Sequence, residues 1–549
     1  MKLLLERYFD ALRKTSLDEK TEHTDRGALE ALLQALALQQ NRHNRVVHEP
    51  GRQCDKGAPD FKIMQASQIV GYVENKRIDD DLVRVAKSEQ IARYSKLSGN
   101  ILLTDYLQFV WIKDGKVAQR AMLGYSTELM GRGGPTEPRV AEVTALLDGF
   151  FSVPPIGIGR SRQLALALAA RSRLLRDFLG DELLRQAREH TEGRLFGLFQ
   201  VFRDQVFHEL TTAEFADAFA QMLAYGLFLA RLNATQDVTL QNARQFVPGS
   251  FSLIRELVDF LGVLDQPEYR DVRWVVEEVL SIVNGLDLAA IHQDLSFRNR
   301  KAGRGVRAGS EEEHRLFERD PFIYFYEDFL KAYDKDTRKG RGVYYTPPPV
   351  VNFIVRAIDD ILKDTFGLPD GLADSRNVTV LDFACGTGTF LLEVFQQVFA
   401  NIGGPEAGRA DPMVRQHFLR NMFGFEYLIA PYTIAHLKLS QYLRDQGHPL
   451  QGNERLQVYL TNTLEPVQPQ RNLLLPAVSA EVEAAQRVKD QPILVITGNP
   501  PYSARSKNKG TWIKAQVKAY EIIDGKHFGE KSIGLMTTTS SSSDLPSSK

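Results

Sequence analysis

Cysteine is scarce in this chain: Cys54 and Cys385 are the only two among 549 residues. They stand far apart and neither belongs to a pair motif. That excludes a disulfide framework and a cysteine-based zinc site, and it fits a reducing cytoplasm. Charge of one sign is also missing. With 68 basic and 69 acidic residues the formal net charge is −1, so nucleic-acid contact must come from local basic patches. No apolar run approaches membrane-spanning length. The start, Met1-Lys2-Leu3-Leu4-Leu5-Glu6, is too short and too soon charged for a signal peptide. The expected location is the cytoplasm, with no membrane partner. No Gly-x-x-x-x-Gly-Lys-Ser/Thr phosphate loop and no internal repeat occurs. What is present is a globular composition, 43% apolar and 25% charged, in a length that suggests about three or four domains.

The expected fold class is α/β in three parts. Residues 1–145 mix helix and strand. Leu29, Leu32, Leu33 and Leu36 recur at helical spacing, and Asp81–Lys96 reads as a helix. Phe61–Met64, Ile69–Glu74, Ile101–Thr104 and Phe109–Ile112 read as strands, with a turn at Lys113-Asp114-Gly115-Lys116. Gly131-Arg132-Gly133-Gly134-Pro135 and Pro154-Pro155 mark a boundary. Residues 155–335 lack strand signals and show helical periodicity over Leu164–Leu179, Phe196–Phe207 and Phe215–Leu232. The basic, glycine-rich Arg298–Arg307 stretch reads either as a solvated connector or as a phosphate-contacting loop. From 336 to 535, strands at Val378–Phe383, Met422–Glu426, Leu456–Thr461 and Ile493–Thr497 alternate with helices, the pattern of a mostly parallel sheet. The Ser/Thr tail, 536–549, is too poor in apolar residues to pack a core.

The chemistry concentrates in that last part. Asn499-Pro500-Pro501-Tyr502 follows the apolar run Ile493–Ile496. The Asn side-chain oxygen and the Pro500 carbonyl can each accept a hydrogen bond from one amino group, leaving its lone pair free to attack. Two prolines fix the backbone and remove N–H donors. Tyr502 offers a flat face for a base. Asp382-Phe383-Ala384-Cys385-Gly386-Thr387-Gly388-Thr389-Phe390 lies where a strand gives way to a helix, the place where parallel sheets bind ligands. The acidic Asp382 there suits a cationic ligand better than a pyrophosphate. Glu426, ending the next strand, can hold ribose hydroxyls, and Asn462 after the third can contact an adenine. Thr346, in Gly342-Val343-Tyr344-Tyr345-Thr346-Pro347-Pro348-Pro349, reads as the cap of a helix beginning near Val350, or as part of a carboxylate clamp there.

This set resembles the N6-adenine DNA methyltransferases, in the circular order that puts the Tyr-Thr-Pro motif first. The resemblance implies S-adenosylmethionine as cofactor and a Rossmann-like methyltransferase domain. It implies Thr346 near the cofactor carboxylate and Asp382, Gly386 and Gly388 around the methionine portion, with Cys385 and Phe390 also lining the cofactor site. Glu426 would sit on the ribose and Asn462 near the adenine. Asn499, Pro500, Pro501 and Tyr502 would hold a flipped adenine in double-stranded DNA while a methyl group passes directly to N6. Cytosine-C5 methylation needs a Pro-Cys nucleophile. Cys54 follows Gln53 and Cys385 follows Ala384, so that chemistry is not supported.

A second constellation lies near the N-terminus. Asp60 precedes one expected strand, and Glu74-Asn75-Lys76 closes the next. Two carboxylates and a lysine so placed can hold a divalent metal and orient a water. Gly57-Ala58-Pro59-Asp60-Phe61, Gly71–Lys76 and Gln90-Ile91-Ala92-Arg93-Tyr94 resemble the PD-(D/E)xK nuclease fold, whose Gln-x-x-x-Tyr helix contacts DNA in some branches. That resemblance implies Mg2+ at Asp60 and Glu74, with Glu30 as a further ligand and Lys76 catalytic. Together with Phe322–Phe329 leading into Gly342, the parts look like the single-polypeptide restriction–modification enzymes of Types IIG and ISP. Those continue beyond Asn-Pro-Pro-Tyr with more strands and a target-recognition domain. The expectation here is a C-terminally truncated chain whose last strand, Ile493–Thr497, forms an apolar edge. An inactive DNA-binding remnant, or half of a split enzyme completed by a second polypeptide, are the alternatives. Protein-glutamine methylation and a nuclease-only activity stand as rivals.

Overall fold

In the computed structural model the described residues are 2–40, 44–48, 59–65, 68–95, 97–131, 133–155, 157–189, 193–297, 320–333, 346–463, 475–500, 518, 522–523 and 526–527. Cys54, Gly57, Ala58, the Arg298–Arg307 loop, Gly342–Tyr345, Pro501, Tyr502 and the Ser/Thr tail lie outside them. The fold is mixed α/β, and contacts divide it into two compact units: residues 1–159 with 265–287, and residues 160–264 with 288–549. No helix among the described residues is long and apolar enough to cross a membrane.

The first unit is built on a six-stranded sheet, β1 (Asn44–His48), β2 (Phe61–Gln65), β3 (Gln68–Asn75), β4 (Asn100–Thr104), β5 (Gln108–Lys113) and β6 (Lys116–Met122), in that spatial order. Neighbours are antiparallel except β3 and β4, which run parallel. Strand alternation sorts β2 and β3 onto two faces. Phe61, Ile63 and Val73 join a core with Leu29, Leu33 and Leu36 of the helix Arg26–Gln40 and Val143, Leu147 and Phe150 of the helix Glu137–Phe151. Their neighbours Lys62 and Tyr72 meet the helix Arg270–Asn284 instead. Tyr72 donates its hydroxyl to Glu278. Lys62, fully buried, donates to the Trp274 carbonyl at 3.2 Å and pairs with Glu278 at 3.4 Å. Residues 265–287, expected within a helical middle region, thus cluster with the first unit because their helix covers the second face of its sheet.

The expected helix at Asp81–Lys96 is two short helices, Leu82–Val85 and Glu89–Tyr94. Asp81 accepts from the N–H groups of Val83 and Arg84, and Ser88 from that of Ile91. The second cap restarts the helix and so divides the run.

In the second unit the long helices Ser161–Glu189, Thr212–Asn233 and Pro321–Tyr333 pack together. Thr211 and Glu214 form a capping box at the second of these. Phe215, Phe219, Leu223, Leu227 and Ala230 are among its many buried residues. The helix Ile429–Asp445 lies against Thr212–Asn233 and also against the sheet, so it bridges the helical part and the sheet. The sheet contains β7 (Val380–Asp382), β8 (Met422–Glu426), β9 (Gln457–Leu460) and β10 (Val495–Thr497), all parallel, in the order β10-β7-β8-β9. β10 is therefore an edge among the described strands, with Leu494 and Ile496 exposed.

Candidate functional site

The carboxyl ends of the four parallel strands meet in one hydrogen-bonded cluster. After β7 the chain turns through Gly386 (φ +54°) and Gly388 (φ +76°), both left-handed. These values favour glycine and admit a tight turn into the helix Thr389–Asn401. A Cβ on Gly386 would meet nothing within 4 Å among the described residues, so they leave that side of the turn open. Gly388 is close-packed, its would-be Cβ lying 3.2 Å from Ala435. The turn is tied to its neighbours. Cys385 donates its N–H to the Phe425 carbonyl at 2.8 Å, and Phe383 donates to Thr497 at 3.2 Å. Thr463 donates its hydroxyl to the Phe383 carbonyl at 2.8 Å.

Glu426 ends β8 with both carboxylate oxygens engaged. Oε2 accepts from the Gly386 N–H and Oε1 from the Leu428 N–H, each at 2.7 Å. Burial pushes its pKa up to about 7. Asp382 is wholly buried. Its Oδ1 accepts a long bond, 3.3 Å, from the Ala384 N–H, and its Oδ2 has no hydrogen-bond partner among the described residues. Burial pushes its pKa up to about 8, against the smaller opposing pull of the Ala384 bond. A buried carboxyl with an orphaned oxygen escapes the cost of an unpaired buried ion, on the order of several kcal/mol, by keeping its proton until a cation or donor joins it. A cationic cofactor fits that requirement.

Asn462 follows β9 and is buried, its carbonyl accepting from Lys489 Nζ at 2.7 Å. Cys385 is also buried, with its thiol pKa well above the ordinary value through burial. Its sulfur packs so closely on Gly424 that a Cβ there would lie 2.9 Å away. Phe390 is buried in the first turn of its helix. Asn499 and Pro500 lie just past β10. Asn499 Nδ2 donates to Thr346 Oγ1 at 2.8 Å. Thr346 does not cap the helix Pro348–Asp364: Pro347 holds the cap position, and no side-chain cap bond forms. Gly498, the residue before Asn499, sits at φ +150°, where a Cβ would lie 2.8 Å from Asp382 Oδ1.

In the first unit, β2 and β3 bring Asp60 and Glu74 together with Lys76. Asp60 Oδ2 accepts from the Asn75 N–H at 2.7 Å, and Oδ1 accepts from Arg26. Glu74 Oε1 accepts from Lys76 Nζ at 2.7 Å and from Gln90 Nε2 at 2.6 Å, while Glu74 Oε2 has no partner among the described residues. Burial, helped by the nearby charge of Asp60, pushes Glu74 up to about 8. Burial also raises Asp60, against the pull of Arg26. Burial lowers Lys76, but Glu74 and then Glu22 outweigh it and the net shift is upward. Gln90 Nε2 also donates to Tyr94 Oη at 3.0 Å, so the Gln-x-x-x-Tyr helix reaches this cluster. Two desolvated carboxylates, one with an orphaned oxygen, fit a divalent cation. No cluster of three His, Cys, Asp or Glu side chains spaced for a metal occurs among the described residues, so Glu30 is not brought together with the pair as a third ligand there. Arg26 on Asp60, and Glu22 on Lys76 at 2.9 Å, were not foreseen.

Residues 317–526 match the family model for the N-6 DNA methylase. The matched segment holds the glycine turn, Glu426, Asn462 and Asn499. No curated protein matches. Among solved structures, the ATP-dependent Type ISP restriction–modification enzyme LlaBIII bound to DNA is 18% identical with a TM-score of 0.50, over 70% of this chain and 24% of that one. The DrdV–DNA complex is 20% identical with a TM-score of 0.47, over 99% of this chain and 48% of that one. The Type IIG restriction endonuclease BpuSI is 13% identical with a TM-score of 0.29, over 96% and 50%. This chain thus spans half or less of the length of each of these structures. The LlaBIII likeness concerns the fold.

Proposed function

We propose that this chain is an adenine-N6 DNA methyltransferase that uses S-adenosylmethionine, with a metal-dependent nuclease in its first unit, acting in a restriction–modification system. The observation that carries the reading is the N-6 DNA methylase match over residues 317–526, joined to a buried Asp382 with an orphaned oxygen, packed against Gly498, the residue before Asn499. The likeness in fold to LlaBIII, a Type ISP restriction–modification enzyme bound to DNA, agrees with it.

The cofactor supplies an activated methyl group. In this reading Asp382 attracts its positive end and the open side of Gly386 admits it closely. Thr346 borders its carboxylate, Glu426 its ribose and Asn462 its adenine, with Cys385, Gly388 and Phe390 completing the wall. Asn499 Oδ1 and the Pro500 carbonyl accept hydrogen bonds from the target amine, which polarises it and leaves its lone pair facing the methyl donor. Holding both reactants in line supplies most of the rate. Pro501 and Tyr502 complete the base pocket. In the first unit Asp60 and Glu74 would hold Mg2+, which would supply an activated water, and Lys76 would orient that water.

Labelled methyl transfer from S-adenosylmethionine to unmethylated genomic DNA tests the reading. Label in adenine, abolished by Asn499→Ala with cofactor binding kept, is the expected result. Label in protein glutamine, or none from folded protein that binds the cofactor, overturns it.

A further inference from the structure

The Asn499 side chain is an amide with two unlike limbs. For methyl transfer the oxygen limb must face the target amine, because a donor there would compete for the lone pair that attacks. The two limbs have nearly the same size, so packing alone distinguishes them poorly; a hydrogen-bond partner that accepts but sits on one side does so directly. Thr346 is such a partner. Its Oγ1 accepts from Asn499 Nδ2 at 2.8 Å, although the two residues are 153 positions apart. Thr346 immediately precedes Pro347 and Pro348, which open the helix Pro348–Asp364. Prolines hold the backbone there in a narrow φ range. Thr346 is only partly buried, and its hydroxyl spends its oxygen, not its proton, on Asn499.

We propose that Thr346 is a positioning residue for Asn499: by accepting from Nδ2 it sets which limb of the amide faces the target amine. The hydroxyl proton stays available to a second acceptor, so a cofactor carboxylate bound beside Thr346 can be linked through one hydroxyl to the orientation of the base-binding amide. This inference rests on the methyltransferase reading.

The full chain is tested as Thr346→Val, which keeps the shape and removes the hydroxyl, and as Thr346→Ser, which keeps the hydroxyl. Steady-state methyl transfer to unmethylated genomic DNA and direct S-adenosylmethionine binding are measured on each. Thr346→Val is expected to lower kcat on the order of tenfold to a hundredfold, with any loss of cofactor affinity smaller than that, and Thr346→Ser to restore kcat. A weakened Kd with intact kcat would assign the hydroxyl to the cofactor alone and overturn the inference. So would wild-type transfer that Thr346→Val leaves untouched. Wild-type protein that binds cofactor and transfers nothing overturns the underlying reading and the positioning role with it. Thermal unfolding supplies a readout independent of transfer. Thr346→Val and Asn499→Ala should each lower the midpoint, and the double variant should lower it no further than one of them. Strictly additive shifts would show that the two side chains are not coupled.

Discussion

Glu426 accepts the backbone N–H of Gly386 at 2.7 Å, so the carboxylate that ends β8 is pinned to the glycine turn that follows β7. A charge-assisted bond of this kind contributes about 1.5–3 kcal/mol. Glu426→Ala frees the turn and removes the group proposed for the ribose. S-adenosylmethionine affinity should fall on the order of tenfold to a hundredfold, measured by titration calorimetry; unchanged affinity would remove Glu426 from the site.

Asp382 trades stability for ligand attraction. Its pKa in the folded state, about 8, lies above the ordinary 3.8. The folded form therefore binds its proton more tightly than the unfolded chain does. Its contribution to stability is full below the ordinary pKa and is lost as pH rises through the interval to about 8. Glu426, raised from 4.5 to about 7, adds to the same slope. Ligand-free protein should show a melting temperature that falls between pH 5 and pH 8. Asp382→Asn should flatten that fall and raise the melting temperature at pH 8 while abolishing cofactor binding. Calorimetric scans across pH read both.

Gly498 is placed for Asp382 to pass. At φ +150° with a would-be Cβ 2.8 Å from Asp382 Oδ1, alanine is strained and collides with a buried carboxylate. Gly498→Ala should cost about 1–3 kcal/mol in urea unfolding and displace Asn499 enough to suppress methyl transfer. A neutral effect on both would refute the close approach.

At the first unit, adding Mg2+ should raise the melting temperature by relieving the desolvated Asp60 and Glu74, as any ligand specific to the folded state does. Glu74→Gln should cancel the rise and any metal-dependent DNA cleavage. A rise that survives the substitution would put the metal elsewhere.

Much of this was legible in the chain itself. Apolar runs located β2 to β5 and β7 to β10, and Asp60, Glu74, Lys76, Gln90 and Tyr94 were read from short motifs that the fold does gather into one cluster. β1 was not read, because Asn44-Arg45-Val46-Val47-His48 carries only two aliphatic residues. Ser88 was a visible cap that divides the Asp81–Lys96 run. Arg26 on Asp60 and Thr346 on Asn499 join residues far apart in sequence, and periodicity is blind to such pairs. The role of Arg270–Asn284 was hidden for the same reason, since its amphipathic pattern says that one face is buried and not against which sheet.

That helix gives the chain an unusual connectivity. The first unit draws on residues 1–159 and 265–287, so the polypeptide passes between units three times, after Gly159, Leu264 and Asp287. A gene cut at residue 160 would strip the cover from Lys62 and Tyr72 and leave a buried ammonium facing water without Glu278. The N-terminal fragment would then be expected to aggregate rather than to behave as a free-standing nuclease. The proposed cleavage activity is therefore not expected to be separable by simple truncation, because the first unit needs residues 265–287 as well as 1–159.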